Sequence, residues 1–367
     1  MRWKGLRVGL VGPLPPPAGG MAMQTRQLAD LLTAEGAVVT LVQVNAPYQP
    51  AWIGHLRVVR ALFRLIPYVL RLWRCAGKVD LVHVMANSGW SWHLFATPAI
   101  WIARARAVPV VVNYRGGEAA AFLARSARWV RGSLAAANLL VVPSEFLRDI
   151  FARHGMASEV LPNIVDLARF PFAPRAPRSA PHLVVTRNLE DIYDIPTALR
   201  AFARLRAAMP DARLSIAGSG PERGALEALA RSLGIVDAVR FLGRLDRDAV
   251  VALYADADLM LNPSRVDNMP NSVLEGLACG LPVVSTRVGG VPFIVRDGAS
   301  ALLVDAGDDE AMAAAALRIL RDAGLAQRLA ATGIAEVQQY AWVRVRPRLS
   351  ELYQRVLPAG ETRVTAA

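Results

Sequence analysis

The stretch NPSRVDNMPNSVLEGLACGLPVVSTRVGG, residues 262–290, decides the fold class of this 367-residue chain. It predicts a strand end, a loop, a helix that starts after Pro270, a tight turn, a short buried strand at 283–284 and a glycine loop at 289–290. Pro270 has no N–H and suits a helix entry, where the first N–H groups lack helical partners in any case. The order strand, helix, strand is typical of a parallel α/β sheet.

Polar residues cluster at the start of that helix. Asn271 and Ser272 are good N-cap or first-turn residues, and the N–H groups that follow, through Val273, predict an anion site aided by the helix dipole. Asp267 and Glu275 lie eight residues apart across the helix start. A carboxylate one turn into the helix suits a pair of sugar hydroxyls better than a phosphate. Taken alone, the two acids favour an ordinary capped helix, whereas the whole motif in order favours a ligand site.

Other apolar runs extend the same architecture along the chain. They are continuous rather than alternating, which is typical of parallel strands covered on both faces, and helical stretches separate them. The runs are residues 8–11, 110–112, 139–142, 183–185, 214–217 and 259–261. Because 54% of the residues are hydrophobic, a large core is expected. Together with the length, the pattern predicts two doubly wound α/β domains.

The motif over residues 262–290 closely resembles the donor site of the retaining family 4 glycosyltransferases, which have the two-domain GT-B fold. The family pattern is Glu, seven residues, Glu, and Asp267 takes the first position here, one methylene shorter. The resemblance implies that Glu275 binds the ribose hydroxyls of a nucleotide-sugar and that Asp267 hydrogen-bonds the transferred sugar. It implies a UDP- or GDP-sugar as substrate, no cofactor and no metal site. The triplet Asp256-Ala257-Asp258 is therefore given no metal role.

Further segments match the same family. Arg187 matches a phosphate-gripping Arg, but the Lys that usually follows it is absent. Two arrangements stay open: Arg187 acts with another cation such as Arg265 or Arg287, or backbone N–H groups hold most of the diphosphate. The loop at Gly19 and Gly20 is implied to face the diphosphate. The other implied donor-binding residues are Asn188, Gly218, Gly220, Arg244 and Leu245, with Asn271, Ser272 and Val273 from the helix start.

Arg115 and Glu118 follow a strong strand, at the edge where open α/β sheets place ligands. Many family members have a His here, so the role of that His does not carry over directly to Arg115. Arg115 could grip an acceptor phosphate bidentately and Glu118 could accept from a sugar hydroxyl; a structural Arg–Glu pair is the alternative. His83 and His93 flank the preceding loop, and only His93 is assigned to the acceptor side. The predicted catalytic set is Asp267, Glu275, Arg187 and Arg115.

Two segments divide the chain. Residues 162–170, PNIVDLARF, resemble the inter-domain segment of the family, and the Pro-rich run to residue 181 is typical of a linker. The prediction is an N-terminal acceptor-side domain over residues 1–172, a nucleotide-sugar-binding domain over 180–338, and a helix over 339–357 that crosses back to the first domain.

The net charge of +12 lies in the N-terminal half: residues 1–175 hold 20 Lys/Arg and 8 Asp/Glu, and the remainder holds 22 of each. Within that half, residues 52–78 form a basic amphipathic segment, which Pro67 kinks or divides. We predict contact with an anionic membrane surface; a helix packed on the sheet with solvated arginines is the alternative. No nucleic-acid-binding module is recognisable, so no nucleic-acid partner is expected. The predicted membrane residues are Arg57, Arg60, Arg64, Arg71 and Arg74.

Two cysteines, a start without a recognisable signal peptide, and apolar runs shorter than the ~20 residues of a membrane span predict a cytoplasmic protein, peripheral on the inner face of the cytoplasmic membrane. The expected activity is metal-independent, hexosyltransferase-type transfer to a lipid-linked or oligosaccharide acceptor in polysaccharide biosynthesis. Two alternatives stay open. One is a sugar-nucleotide epimerase on the same fold. The other is a non-catalytic, membrane-bound scaffold, motivated by Asp267, Arg115 and the missing Lys.

Overall fold

The computed structural model describes residues 3–16, 19–48, 60–175 and 178–358, with the backbone alone described at 60–62. The chain divides into two compact units. One comprises Met1–Ile164 together with Trp342–Ala367, and the other comprises Val165–Ala341.

The first unit is built on a six-stranded parallel sheet with strand order β2-β1-β3-β4-β5-β6. Its elements are β1 (Arg7–Gly12), α1 (Gly20–Ala34), β2 (Val38–Gln43), α2 (Arg60–Ala76), β3 (Leu81–Ala86), α3 (Thr97–Ala105), β4 (Val110–Tyr114), α4 (Ala119–Leu134), β5 (Leu139–Val142), α5 (Glu145–Arg153) and β6 (Glu159–Val160). A single turn of π-helix over Trp92–Ala96 leads into α3.

The second unit repeats the plan with strand order β12-β11-β10-β7-β8-β9, again parallel. Its elements are β7 (His182–Thr186), α6 (Ile195–Ala208), β8 (Arg213–Ala217), α7 (Arg223–Ser232), β9 (Val239–Gly243), α8 (Arg247–Asp256), β10 (Leu259–Asn262), α9 (Asn271–Ala278), β11 (Val283–Thr286), β12 (Leu302–Val304), α10 (Asp309–Arg321) and α11 (Ala323–Val337). The six apolar runs noted in the sequence all lie in strands of these two sheets, so the doubly wound α/β prediction is confirmed.

Both faces of the central strands are covered, which explains their unbroken apolar runs. In β3 all six residues are buried. Leu81 and Met85 pack on one face with α1, while Val82 and Val84 pack on the other face with α2 and α3. Since successive strand side chains point to opposite faces, a strand buried on both sides is mostly apolar, and the one polar side chain of β3, His83, is buried with hydrogen-bond partners.

Each sheet has one point where the strand order reverses. In the first unit it lies between β1 and β3, and in the second it lies between β7 and β10. Open α/β sheets bind ligands outside the carboxyl ends of the two strands that flank such a point. The two reversal points are therefore the first places to look for function.

The C-terminal helix, α12 (Trp342–Val356), belongs to the first unit. It packs through Leu349, Leu352 and Tyr353, all of which are buried. Its cations also pair with the first unit, since Arg346 contacts Glu35 at 2.9 Å. This packing closes the sheet face that α1 covers in part.

Helix α2 runs through Pro67 without division. It packs inward through Tyr68 and Leu72, which are buried. Its other apolar stripe faces outward: the exposed residues are Phe63 (52%), Ile66 (59%), Leu70 (52%) and Trp73 (47%). The helix thus has two apolar faces, and only one of them is covered. Trp52, Leu56, Arg57 and Val59, predicted in the same segment, lie outside the described residues, as does the side chain of Arg60.

Candidate active site

The residues predicted to bind the donor surround the reversal point of the second sheet. Arg187 follows β7 directly, and Asn262 is the last residue of β10. Because the two strands are adjacent and parallel, their carboxyl ends meet at one edge. The loop after β10 then returns through Asp267 to α9 at the same edge.

Arg187 is held by two side chains at this edge. Its Nε donates to Asn262 Oδ1 at 2.8 Å, and its Nη2 donates to the carboxylate of Asp267. The guanidinium carbon lies 5.2 Å from the centre of the Tyr193 ring. Only 11% of the Arg187 side chain and 10% of the Asp267 side chain are exposed. The structure therefore brings together two residues that were predicted to have separate roles, and it joins them as an ion pair.

Two backbone N–H groups hold Asp267, one through its carboxylate and the other through its backbone carbonyl. The N–H of Asn268 donates to Asp267 Oδ1 at 3.1 Å, and the N–H of Gly290 donates to the Asp267 carbonyl at 3.0 Å. Burial raises the pKa of the Asp267 carboxyl, and the charge of Arg187 opposes that rise. The glycine loop at residues 289–290 therefore supports Asp267, the first acid of the motif.

Glu275 lies one turn into α9 and is densely surrounded. The Tyr254 hydroxyl hydrogen-bonds to its carboxylate, and the same hydroxyl lies 2.8 Å from Thr186 Oγ1. Burial raises the pKa of Glu275 to about 7, although Arg247, Tyr254 and Arg187 each oppose the rise. A carboxyl with a pKa near 7 is ionised only in part at neutral pH, and hydroxyl donors would favour its ionised form.

The start of α9 shows which of the two predicted placements Asn271 and Ser272 take. The helix begins at Asn271, and Pro270 occupies the N-cap position with extended backbone and no side-chain cap. Asn271 and Ser272 are thus first-turn residues rather than caps. Because proline offers no side-chain acceptor, Pro270 does not cap the N–H groups of the first turn.

The two cations considered as partners of Arg187 are engaged by other carboxylates. Arg265 contacts Asp191 at 3.1 Å and Asp194 at 3.0 Å. Arg287 contacts Asp297 at 2.9 Å and the Leu303 carbonyl at 3.1 Å. Of the two arrangements left open by the sequence, this geometry favours Arg187 together with backbone N–H groups.

Two glycines after β8 allow the loop there to approach the loop after β7. A Cβ at Gly218 would overlap the Arg187 carbonyl, and a Cβ at Gly220 would overlap that of Leu189. Arg244 Nη2 donates to Ser219 Oγ at 3.1 Å, and Leu245 packs partly buried against the core. Asn188 Nδ2 donates to Glu190 at 3.1 Å. These predicted donor residues therefore gather beside Arg187, and their placement around a nucleotide stays a prediction.

Gly290 offers a test of the loop. A Cβ there would overlap the backbone carbonyl of Asn268, so Gly290→Ala must displace the turn that supports Asp267. We expect Gly290→Ala to weaken donor binding at least tenfold and to lower the free energy of unfolding by about 1–3 kcal/mol. Gly224→Ala is the matched control, because its Cβ meets open space in α7 and should stabilise that helix by up to about 1 kcal/mol. Urea unfolding measures the stability of both variants, and donor titration measures their affinity. If Gly290→Ala and Gly224→Ala behave alike, the turn at Gly290 does not support Asp267.

In the first unit, Gly19 and Gly20 lie at the start of α1, after the carboxyl end of β1. Arg115 lies beyond the end of β4 and is densely surrounded, although part of it reaches solvent. Its Nε donates to Asn113 Oδ1 at 3.1 Å, and its Nη1 donates to the side-chain oxygens of Asn163 and, at 3.5 Å, Gln24. Among the described residues none of these partners is a carboxylate, so the predicted alternative of an Arg–Glu pair with Glu118 is not what the structure shows.

A buried hydrogen-bond chain holds Arg115 in place. Asn113 Nδ2 donates to His83 Nε2 at 3.0 Å, and His83 Nδ1 lies 2.9 Å from the Tyr353 hydroxyl in α12. Burial and the charge of Arg115 lower the pKa of His83 to about 3, so the imidazole is neutral. The chain fixes the orientation of the Asn113 amide, and therefore of Arg115, without neutralising its charge. Burial also lowers the pKa of Arg115 to about 10, which leaves it a cation at pH 7.

His93 and Glu118 have looser surroundings. His93 sits in the π-helical turn, with its ring 6.0 Å from that of Phe122. Glu118 is exposed just before α4. Their acceptor-side role stays a prediction. Asp256, from the triplet set aside as a metal site, contacts Arg213 at 2.7 Å and His182 at 3.0 Å.

Sequence reasoning missed several residues of these networks. Asn262 could have been found, because a polar residue that ends a buried apolar strand at a ligand edge is itself a signal. Tyr254 and Tyr353 gave no such signal, since both lie within amphipathic helices and are fully buried. Their hydroxyls become functional neighbours only through packing.

Two doubly wound parallel sheets, with Arg187, the start of α9 and the carboxylate of Glu275 gathered at the reversal point of the second, are typical of the GT-B class. Sequence comparisons agree. The family model for Glycosyltransferase Family 4 matches residues 18–169, and that for Glycosyl transferases group 1 matches residues 180–322.

Known relatives cover most of the chain. Glycogen synthase from Mycobacterium tuberculosis is 31% identical over 325 residues, 83% of this chain and 75% of the relative. D-inositol 3-phosphate glycosyltransferase from Corynebacterium jeikeium is 27% identical over 416 residues, covering 97% and 98%. The chain therefore belongs to the family 4 glycosyltransferases, and it is a glycosyltransferase enzyme.

Solved structures support the same fold. Sucrose-phosphate synthase from Thermosynechococcus elongatus superposes with a TM-score of 0.77 at 21% identity, covering 95% of this chain and 98% of that one. Anabaena HepE, solved with UDP and glucose, gives a TM-score of 0.73 at 17% identity, covering 94% and 99%. The predicted GT-B fold is thus confirmed.

Proposed function

We propose that this glycosyltransferase moves a sugar, with retention, from a nucleotide-sugar to a lipid-linked or saccharide acceptor at the inner face of the cytoplasmic membrane. The observation that carries the donor half is the clustering of Arg187, Asp267 and Glu275 at one reversal point. A UDP-sugar is the donor we favour, because HepE is solved with UDP and glucose. GDP-sugars are the second class to test.

Each residue has a distinct role in this proposal. Glu275 accepts hydrogen bonds from the two ribose hydroxyls. Arg187 and the first-turn N–H groups of α9 stabilise the charge that develops on the leaving diphosphate. Asp267 orients Arg187 and hydrogen-bonds the transferred sugar. The leaving-group oxygen then helps to deprotonate the acceptor on the same face of the sugar, so the protein contributes positioning and charge stabilisation.

A thermal-shift panel against UDP-, GDP-, ADP- and TDP-sugars tests the donor assignment. A ligand at 100 times its dissociation constant stabilises the folded protein by ~2.7 kcal/mol, which is readily visible. We expect one base to give the shift and Glu275→Gln to lose it. Absence of a shift with every nucleotide would contradict the proposal and favour a non-catalytic scaffold. Interconversion of the donor without nucleotide release would identify an epimerase instead.

The membrane half of the proposal rests on the uncovered face of α2. Phe63, Ile66 and Leu70 form an exposed apolar stripe, and Arg71 and Arg74 are exposed beside it. Among the described residues of this unit, the exposed tryptophans are Trp73 in α2, Trp90 before α3, Trp101 in α3 and Trp129 in α4. In the described residues no helix is long and apolar enough to cross a bilayer. An apolar stripe with tryptophans and flanking arginines fits a helix that lies in an anionic interface.

Removing the stripe should release the protein from vesicles. We expect the double variant Phe63→Ser with Leu70→Ser to lower partition onto phosphatidylglycerol-containing vesicles roughly 100-fold, since each side chain contributes about 1.5 kcal/mol or more of burial. The matched control is Phe293→Ser with Leu242→Ser, two exposed residues of the second unit. Flotation measures both. If the control variant loses as much vesicle binding as the test variant, or if the test variant loses none, α2 does not form the membrane contact.

A further inference from the structure

The reversal point of the first sheet holds a pocket that the donor assignment does not use. It lies at the carboxyl ends of β1 and β3 and has a volume of about 170 Å³. Its walls are largely apolar and include Val11, Val44, Val84 and Phe95. A cavity of about 150 Å³ with apolar walls can hold a benzene-sized group, so this one accommodates five or six carbons.

One cation lines this apolar pocket. Arg64, from α2, is among the lining residues, and its Nε is buried without a hydrogen-bond partner in the described part of the chain. Its guanidinium lies 4.1 Å from the centre of the Tyr48 ring. No carboxylate pairs with it among the described residues. A buried N–H left without an acceptor is unfavourable, and an anionic ligand would supply that acceptor.

The other two polar side chains at the wall are Asn45 and Ser91, and Asn45 is already satisfied. Asn45 accepts from the Leu14 N–H at 2.8 Å and donates to the Leu14 carbonyl at 2.8 Å. It closes the loop after β1 and offers little to a ligand. The pocket therefore combines apolar walls with a single unsatisfied cationic donor, which is a pattern for an anionic group carried on an apolar stem.

Helix α2 also connects this pocket with the outside. Arg64 lines the pocket, whereas Phe63 and Ile66, its neighbours along the helix, belong to the exposed stripe. A ligand drawn from a membrane would thus meet the stripe and the pocket on the same helix. A free phosphate would need no such apolar walls.

We propose that this pocket binds a phosphate ester of an apolar chain, with the phosphate on Arg64 and the first carbons of the chain between the walls. The inference deepens the proposed function, and rests on it, in treating this ligand as the lipid part of the acceptor. The binding itself is independent of the donor site.

Calorimetric titration of the full-length protein, without vesicles, tests this pocket. The probes are geranyl phosphate, geraniol and inorganic phosphate. We expect geranyl phosphate to bind at least tenfold tighter than either of the others. Arg64→Gln should weaken geranyl phosphate at least tenfold and leave geraniol nearly unchanged. Val44→Phe, which fills the pocket, should weaken both organic probes. Arg26→Gln, the same charge change at an exposed position of α1, should alter none of them.

Three results would overturn the proposal. They are geraniol binding as tightly as geranyl phosphate, inorganic phosphate binding as tightly as the ester, and equal behaviour of Arg64→Gln and Arg26→Gln. The donor thermal shift, measured on the same preparations, separates this failure from failure of the proposed function. A thermal shift with the donor, without geranyl phosphate binding, would contradict the pocket proposal alone. Geranyl phosphate binding without any donor shift keeps the pocket and sinks the transferase assignment.

Discussion

Donor affinity is expected to rise about tenfold between pH 6 and pH 8, with its midpoint near the free-state pKa of Glu275. That pKa is raised to about 7 by burial. Two ribose hydroxyls are best received by the ionised carboxylate, so the affinity scales with the fraction of ionised enzyme. Calorimetric titration of the nucleotide-sugar at several pH values measures this directly.

Glu275→Gln supplies the control for that profile. It keeps the size and one acceptor oxygen but cannot ionise, so we expect binding to weaken by about 100-fold at pH 8 and to lose its pH dependence. A variant that retains the slope of the wild-type profile would show that another group titrates. A flat wild-type profile would show that Glu275 is already ionised without ligand.

For the Glu275 carboxyl, stability is expected to follow pH in the opposite direction to donor affinity. Its pKa is higher in the folded state than the ordinary value of 4.5, so the folded protein binds the proton more tightly. The stability that this proton contributes is complete below pH 4.5 and is lost as the pH rises through about 7. Glu275→Gln should therefore be more stable than wild type at pH 8, by up to about 3 kcal/mol, and the difference should narrow toward pH 5. A residue that weakens stability while serving a ligand is typical of a binding site.

Particular strands show how much of the fold and of the candidate site the sequence predicts. The runs at 110–112 and 183–185 predicted central strands correctly, because a strand buried on both faces is mostly apolar. The reversal point was within reach for the same reason, since the motif after residue 262 follows such a strand. The family resemblance then assigned Arg187 and Asp267, but it gave no sign that the two would pair in the absence of ligand.

Helix α2 shows a limit of what hydrophobic periodicity can predict. Two apolar faces exist on this helix, one through Tyr68 and Leu72 and one through Phe63 and Leu70. Spacing alone identifies both but cannot choose which one packs on the sheet, because that choice depends on the shape of the surface opposite. The contact between His83 and Tyr353 is harder still: the two residues lie 270 positions apart, and neither carries a motif.

Arg187→Ala is expected to lower kcat/KM for the donor by 10²- to 10³-fold, measured as nucleotide release. That range is typical for loss of one group that stabilises developing charge. The effect should be at the upper end, because Arg265 and Arg287 are held by their own carboxylates and cannot substitute. Arg187→Lys keeps the charge but not the fork that reaches Asn262 and Asp267 together, so it should recover only a small part of the rate.

Arg187→Ala also leaves Asp267 buried without its counter-charge, which should destabilise the fold by about 3 kcal/mol. The double variant Arg187→Ala with Asp267→Asn separates this structural loss from the chemical one. Neutralising the acid should restore most of the unfolding free energy, because no uncompensated charge remains, while kcat/KM stays as low as in Arg187→Ala. Recovery of nucleotide release together with stability would mean that Arg187 serves only to neutralise Asp267. Failure of both to recover would mean that the pair holds the loop by geometry rather than by charge. The expected split, stability regained and rate still lost, shows that the Arg187–Asp267 pair serves the reaction and not the fold alone.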